Sequence, residues 1–473
     1  MPLILTRFIL DVQRACAKAL LKEAWTLSIE TLSWMEMRRL SEPLALARTV
    51  KQLGMTDHNA VRMAHLLVSE TVRRQNFIDK FINNTIKPNS LSEFNLGTQA
   101  FLRLYVYQTR IAKNWSRINF DEAENIVKLA RSILGWKTLQ PVEPILGVLL
   151  TQRAASVFEG GSDEEQIGLR TFHPSWFVKY CIGLFGRSET IDILQADTEP
   201  PPTYVRINTL KANENEILER LSQDCINVEK VNGLKHTYEV TASRRPVTRT
   251  TSFQEGVFYV QDKASCFAVE AGNPTPGLTV LDVCAAPGAK TTYLAQLMQN
   301  KGEIISLDYS KRRIITWKNE IAKTGVEIAE PIIADARVHL PLVAMADLLI
   351  LDPPCTGTGT FGKMPSAKWR LAPSSAEKMA EIQWQMLSNC SEYVKPGGTL
   401  VYSTCSMTIE ENEMLVERFM KWHPEFLLTE ITPKIGLPGL RGLERCRRLY
   451  PHIHRCNGFF IAKMLKNECV KDV

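Results

Sequence analysis

Two thiols stand where thiols can react. Cys355 closes the segment Leu349-Ile-Leu-Asp-Pro-Pro-Cys355, and Cys405 lies in Ser403-Thr-Cys-Ser406. Each turn follows a short apolar run, so each is expected at the end of a β-strand, on one shared rim of a sheet. Pro353 and Pro354 restrict the backbone and hold the first turn in one shape. An ordinary thiol ionises near pH ~8.5, so an attacking cysteine needs help from nearby positive charge or a helix end. Lys290 is a candidate for that help. Most free cysteines are small buried hydrophobes, and either residue taken alone reads that way. The pair, at two strand ends beside the loop described next, does not.

The chemistry that two thiols suit is substitution at carbon 5 of cytosine. That carbon is a poor nucleophile because the ring is aromatic. A thiolate adding to carbon 6 breaks the aromaticity and leaves carbon 5 enamine-like, able to attack a methyl group on a sulfonium. The proton on carbon 5 must then leave to a base, so that the thiolate can be eliminated. This is covalent catalysis, in which one hard step becomes several easier ones.

A cofactor site is expected beside the thiols. In an open parallel sheet, ligands bind outside the carboxyl ends of the strands, near the switch point. Four segments put turn or acidic residues at such ends. In Leu281-Asp-Val-Cys-Ala-Ala-Pro-Gly-Ala-Lys-Thr291, a strand ends at Asp282–Cys284, and Ala285, Ala286 and Gly288 let the backbone approach a ligand before a helix begins. Asp308 closes Glu303–Leu307 and could accept both hydroxyls of a ribose. Asp335, in Ile332-Ile-Ala-Asp335, suits an adenine amino group. Asp352 is the fourth. Asp308 and Asp335 could instead cap the helices that follow, and Gly288-Ala-Lys-Thr291 lacks the spacing of a phosphate loop. The order of loop, acid, acid and Asp-Pro-Pro is that of a methyltransferase.

Around these motifs the chain alternates short β-rich runs with mostly helical ones: Leu278–Val283, Glu303–Leu307, Glu330–Ile333, Leu348–Leu351 and Thr399–Tyr402. Such alternation predicts a doubly wound, Rossmann-like α/β sheet over residues 266–467. Ahead of it, residues 166–265 read as linker helices and a small α/β module. Tyr204–Leu210 and Val257–Val260 are strand-like there, Asn213–Leu221 is helical, and His173-Pro-Ser-Trp176 opens a short helix. Residues 1–158 read as an all-helical domain. Apolar residues recur at helical spacing through Ala60–Ile78 and Thr98–Ile111, and a further helix follows Asp121 and stops at Gly135. Glu159–Glu165 looks like a linker and Glu199–Thr203 like a rigid extended connector.

Composition fits a globular protein rather than a disordered one, with 45% hydrophobic and 23% charged residues. At ~150 residues per domain, 473 residues make two to four domains. A net charge of +6 permits nucleic-acid binding without demanding it. Basic residues gather at Arg244, Arg245 and Arg249, at Lys311, Arg312 and Arg313, and at Arg441, Arg445, Arg447 and Arg448. Eleven cysteines with no Cys-x-x-Cys imply free thiols in a reducing, cytoplasmic compartment. The first residues break at Arg7 and do not read as a signal peptide. No membrane span is expected, since none of the apolar runs approaches ~18 residues. Cys446, His452, His454 and Cys456 match no usual zinc spacing, so no metal is expected.

Together these segments resemble the Sun/Fmu class of RNA cytosine-5 methyltransferases, which includes the nucleolar Nop proteins. The likeness runs from about His173 to Gly458-Phe-Phe-Ile-Ala462. It is carried by Tyr204-Val-Arg-Ile-Asn-Thr-Leu210, Tyr259-Val-Gln-Asp262, Asp282-Val-Cys-Ala-Ala-Pro-Gly288, Asp352-Pro-Pro-Cys-Thr-Gly-Thr-Gly359, and Ser403-Thr-Cys-Ser406 with Glu410-Glu-Asn-Glu413. The resemblance implies S-adenosylmethionine as cofactor, with Cys405 as nucleophile and Cys355 assisting release. It implies cofactor contacts from Cys284, Ala285, Ala286, Pro287, Gly288, Ala289 and Lys290, and from Asp308, Asp335 and Asp352. Asp352 and Lys290 would also reach the cytosine. An RNA-recognition-like extension ahead of the catalytic domain fits Tyr204–Val260. The helical beginning is similar to a NusB-type RNA-binding domain, through Ser69-Glu-Thr-Val-Arg-Arg74 and Phe77-Ile-Asp-Lys-Phe81, which tilts the expected partner towards ribosomal rather than transfer RNA. A monomer is expected.

Two departures stand out. Ala289 replaces a second glycine, which would be strained only at positive φ. Ser366, in Met364-Pro-Ser-Ala-Lys-Trp369, replaces an acidic residue and puts substrate contacts around Lys368 in doubt. The competing readings are a non-catalytic RNA-binding or ribosome-assembly factor with a methyltransferase fold, and an amino-group methyltransferase. The first has no need of both thiols. The second wants an aromatic residue where Cys355 stands.

Overall fold

The computed structural model describes residues 2–112, 118–343 and 345–468, with side chains from Lys18 onward. The chain forms two compact units, Met1–Thr198 with Met364–Arg370, and Glu199–Lys363 with Leu371–Val473. Among the described residues no helix is long and apolar enough to cross a membrane.

The first unit is helical. Its core gathers Trp25, Phe81, Phe101, Leu104, Tyr105 and Leu149. Asp57 caps His58–Arg73, its carboxylate accepting from the amides of Asn59 at 2.7 Å and Ala60 at 3.3 Å. The helical run expected through Ala60–Ile78 is interrupted at Arg74, and a second helix runs from Gln75 to Ile86. The break turns the chain so that Val68 and Val72 on one side, and Phe77 and Phe81 on the other, enter the same core. Phe120–Leu134 ends at Gly135, whose φ of 84° suits glycine, but its cap is Asn119 rather than Asp121. The expected linker is shorter than its composition implied. Ser162 caps Asp163–Thr171, and Asp163, Glu164 and Glu165 form the acidic first turn of that helix.

Residues Met364–Arg370 belong to this helical unit. Ser366 donates to the Glu42 carboxylate, and the Trp369 indole donates to the Val72 carbonyl at 2.7 Å. Lys368 is fully buried. Ser366, Lys368 and Trp369 therefore take part in the packing of this helical unit.

The second unit opens with a four-stranded antiparallel sheet: β1 (Tyr204–Ile207), β2 (Ile226–Lys230), β3 (Thr237–Ser243) and β4 (Phe258–Val260), in the order β2-β3-β1-β4. Asn213 and Glu216 form a capping box for Glu214–Gln223, which buries Ile217 and Leu221 against Val205, Ile207 and Phe258. From the other face, Arg206 donates to Gln261 at 2.9 Å, to Thr292 at 2.7 Å and to Gln296. The last two lie on Ala289–Leu297, so this buried guanidinium ties β1 to the first helix of the large sheet.

Among the described residues that sheet has nine strands. Five are parallel: β5 (Thr279–Val283), β6 (Glu303–Asp308), β7 (Ala329–Ile333), β8 (Ala346–Leu351) and β9 (Val394–Thr404), running in the order β9-β8-β5-β6-β7. Alternate residues face opposite layers. Val280, Ile304, Ile350 and Val401 meet Phe267, Leu294, Trp317 and Ile321. Leu281, Leu307, Leu351 and Tyr402 meet Leu387, Val416 and Phe419. Cover on both faces explains the near-continuous apolar runs. Four further strands, β10 (Phe426–Leu428), β11 (Leu437–Pro438), β12 (Arg447–Leu449) and β13 (Phe459–Lys466), extend the edge beyond β9. There β13 pairs antiparallel with β9.

Candidate active site

The switch point lies between β5 and β8. Their register pairs Val283 with Leu351, and the next pairs Leu351 with Tyr402. The residues that follow, Cys284, Asp352 and Ser403, therefore leave three adjacent strands at one rim.

The loop after β5 is shaped by its backbone. Cys284 has φ 63° and Gly288 has φ 114°; a Cβ on Gly288 would also meet Trp317 at 3.3 Å. Ala289 begins the helix Ala289–Leu297 and is not at positive φ, so replacing a glycine there carries no strain. Ala285 and Ala286 are buried, and Asp308, itself 1% exposed, reaches the Ala286 amide at 3.3 Å and the Ser310 amide at 3.0 Å. Arg313 pairs with Asp308 at 3.1 Å and donates to the Ala286 carbonyl. Lys311 and Arg312 stay exposed, but Arg313 is engaged with this loop. The Asp335 carboxylate is held by Arg337 at 2.6 Å.

The catalytic candidates converge. Lys290 forms a partly buried ion pair with Asp352, whose other oxygen accepts from Ser403 at 3.3 Å. Burial works against the Lys290 charge, but Asp352, Asp282 and Cys405 outweigh it and hold its pKa above the usual value. The sulfurs of Cys355 and Cys405 are 3.2 Å apart. The hydrogen bond with Cys405, burial, and the negative charge of Cys405, Glu411 and Asp352 push the Cys355 thiol well up. The backbone links the two turns as well: the Gly359 amide donates to the Cys405 carbonyl at 2.9 Å, and the Gly458 amide to the Gly359 carbonyl at 2.8 Å.

Several residues at this rim were not singled out by motif. Burial pushes Asp282 up to about 7, against the hydrogen bond from Thr291 and the charge of Lys290. Ser403 and Glu411 sit inside motifs whose cysteine or acidic run drew attention elsewhere. The signal available for Glu411 was the set of nearby hydroxyls, Thr356, Ser406 and Thr408, which donate to its carboxylate alongside the Thr356 amide and the Gln383 side chain. The third basic cluster is not a surface: Arg447 and Arg448 are buried, whereas Arg441 and Arg445 are exposed. Cys446 and Cys456 are core residues, and among the described residues no group of three or more His, Cys, Asp or Glu is placed to hold a metal ion.

A doubly wound sheet with this loop, acid and Asp-Pro-Pro order at its switch point is a Rossmann-like methyltransferase fold. The chain belongs to the RsmB/F family of methyltransferases. The family described as 16S rRNA methyltransferase RsmB/F matches residues 269–465, and an RsmF/B-like ferredoxin-like domain matches residues 173–241. A probable ribosomal RNA small subunit methyltransferase B of Bacillus subtilis is 30% identical over 453 residues, covering 93% of this chain and 98% of that protein. The 25S rRNA (cytosine-C(5))-methyltransferase nop2 of Schizosaccharomyces pombe is 32% identical over 60% of this chain and 49% of its own length. The crystal structure of PH0851 is similar with a TM-score of 0.77 at 29% identity, covering 94% of this chain and 99% of that one.

Proposed function

We propose that this protein transfers a methyl group from S-adenosylmethionine to carbon 5 of a cytosine in RNA, with ribosomal RNA favoured over transfer RNA. The observation that carries the reading is the pair of sulfurs 3.2 Å apart, beside the Lys290–Asp352 ion pair, at the rim where the cofactor loop ends. The relatives' printed activities agree with it.

The loop fits the cofactor. Positive φ at Cys284 and Gly288 exposes backbone to a ligand, the side chains at 285 and 286 are small, and Asp308 lies directly under the loop. When bound, S-adenosylmethionine supplies an electrophilic methyl on a sulfonium. The chain's own residues do the rest. Cys405 adds through its sulfur to carbon 6 of the cytosine, with Lys290 providing nearby positive charge. Asp352, anchored by Lys290 and Ser403, holds the base. After carbon 5 is methylated, its proton passes to a base, the electron pair re-forms the double bond between carbons 5 and 6, and the bond from carbon 6 to sulfur breaks to return the Cys405 thiolate. Cys355 stands next to that leaving sulfur and assists its departure. The helical unit and the exposed arginines of the small sheet bind RNA phosphates.

The test is 5-methylcytosine mapping in ribosomal and transfer RNA after incubation with S-adenosylmethionine. One or a few ribosomal cytosines gain the mark, and Cys405→Ala removes it. Cofactor binding without turnover on any RNA would leave a non-catalytic assembly factor instead.

A further inference from the structure

The two cysteine turns are fastened to each other along their length, not only at the sulfurs. The Gly359 amide donates to the Cys405 carbonyl at 2.9 Å, and the Met407 amide to the Thr358 hydroxyl at 2.8 Å. Thr356 and Ser406, which directly follow the two cysteines, both donate to the Glu411 carboxylate. On the preceding side, the Gln383 side chain donates to the Pro354 carbonyl at 3.0 Å. These bonds keep the two sulfurs neighbours at 3.2 Å. Both cysteines are free thiols, and both are partly exposed, whereas Cys390 and Cys446 are sealed in the core. Small solutes therefore reach the pair. A disulfide needs its sulfurs at ~2.05 Å, about 1 Å closer than these stand.

We propose that Cys355 and Cys405 form a reversible disulfide when a peroxide reaches the site, so that the thiols used for methyl transfer also switch it off and are spared deeper oxidation. The loss of activity rests on the two-cysteine reading above; the bond rests on the geometry. One sulfur, as a thiolate, attacks a peroxide oxygen. The O–O bond breaks, leaving a sulfenic acid on that sulfur and a hydroxide that takes up a proton as water. The second sulfur then attacks the sulfenic sulfur. An S–S bond forms, the S–O bond breaks, and the second thiol's proton leaves with the hydroxyl as another water. In sum the two thiols lose two electrons and two protons to one hydrogen peroxide. With its sulfur held in that bond, Cys405 has no thiolate to add to carbon 6. A dithiol reverses the change through a mixed disulfide. A sulfenic acid with no thiol beside it goes on to sulfinic acid, which reductant does not restore.

The test treats the full-length protein with hydrogen peroxide near neutral pH, blocks the remaining thiols and digests without reductant for peptide mass spectrometry. In the wild type a peptide joining Cys355 to Cys405 accumulates. Methylation of RNA falls in proportion to the joined fraction and returns with dithiothreitol. In Cys355→Ala the Cys405 peptide instead gains two oxygens, in severalfold larger yield than in wild type, and dithiothreitol does not remove them. Cys355→Ser, a one-atom change, behaves as Cys355→Ala; protection of Cys405 retained in it overturns the proposal. So does the lack of a Cys355–Cys405 peptide, a link to another cysteine in its place, or equal sulfinic acid at Cys405 in wild type and Cys355→Ala. The link is read by mass and needs no turnover. Methylation persisting in Cys405→Ala would sink the two-cysteine reading and leave the bond standing.

Discussion

Arg448 and Glu413 grip each other in a buried two-point ion pair, with Nε and Nη2 of the guanidinium at 2.6 Å and 2.5 Å from the two carboxylate oxygens. Both side chains are essentially without solvent contact. The remaining arm of Arg448 donates to the Met407 carbonyl at 3.0 Å, two residues beyond Cys405, and Glu413 also accepts from the Leu440 amide at 2.9 Å. The pair thus pins the turn that carries Cys405 to the antiparallel edge of the sheet. Removing one partner of a buried pair leaves an uncompensated charge, which costs about 3–5 kcal/mol. Arg448→Met should lose about that much in denaturant unfolding, and Arg448→Met with Glu413→Leu should recover part of it.

The 3.2 Å separation of the two sulfurs makes trapping a direct readout. With S-adenosylmethionine and substrate RNA, Cys355→Ala should accumulate a protein–RNA adduct that survives a denaturing gel. Cys355→Ala combined with Cys405→Ala should give none. An adduct in the double variant would remove Cys405 from its role.

Asp282 links the site to stability. Its pKa is raised in the folded protein to about 7, above the ~3.9 of an unfolded aspartate. Between those values the folded state binds the extra proton, so its stabilising contribution is full below pH ~4 and is lost as pH rises through about 7. Asp282→Asn should therefore unfold at the same midpoint as wild type near pH 4 and at a higher one at pH 8. The gain at pH 8 is roughly 2–4 kcal/mol at most. A difference that does not change with pH would sink this account.

Lys368 gives the opposite sign in the helical unit. Burial, only partly offset by Asp197, lowers it to about 7. Its Nζ has no hydrogen-bond partner. The unfolded lysine holds its proton to pH ~10.4, so stability rises with pH between about 7 and that value. Lys368→Met should stabilise the protein most at pH 6–7, with the advantage shrinking towards pH 10. Thermal melts across that range check it.

RNA affinity should fall steeply with salt, because binding at phosphates releases counterions. Arg244, Arg245 and Arg249 are exposed, so replacing all three with Ser should flatten the slope of log affinity against log salt by about one for each phosphate no longer neutralised. An unchanged slope would take this cluster out of the interface.

The sequence alone determined the doubly wound sheet and which residues stand at its rim. Parallel strands buried on both faces must be near-continuously apolar, so their positions show in composition; β5, β6 and β8 fall within two residues of the expected runs. The turns that follow need particular residues, such as Gly288 at φ 114° and the paired prolines before Cys355, and those are visible one by one. Other features depend on partners distant in the chain. The interruption at Arg74, the placement of Ser366 and Lys368 in the helical unit, the antiparallel strands beyond β9 and the five donors around Glu411 have no local signature. Each is decided by which surfaces must be buried together and which buried polar groups must then be satisfied. Only the folded chain specifies those pairings.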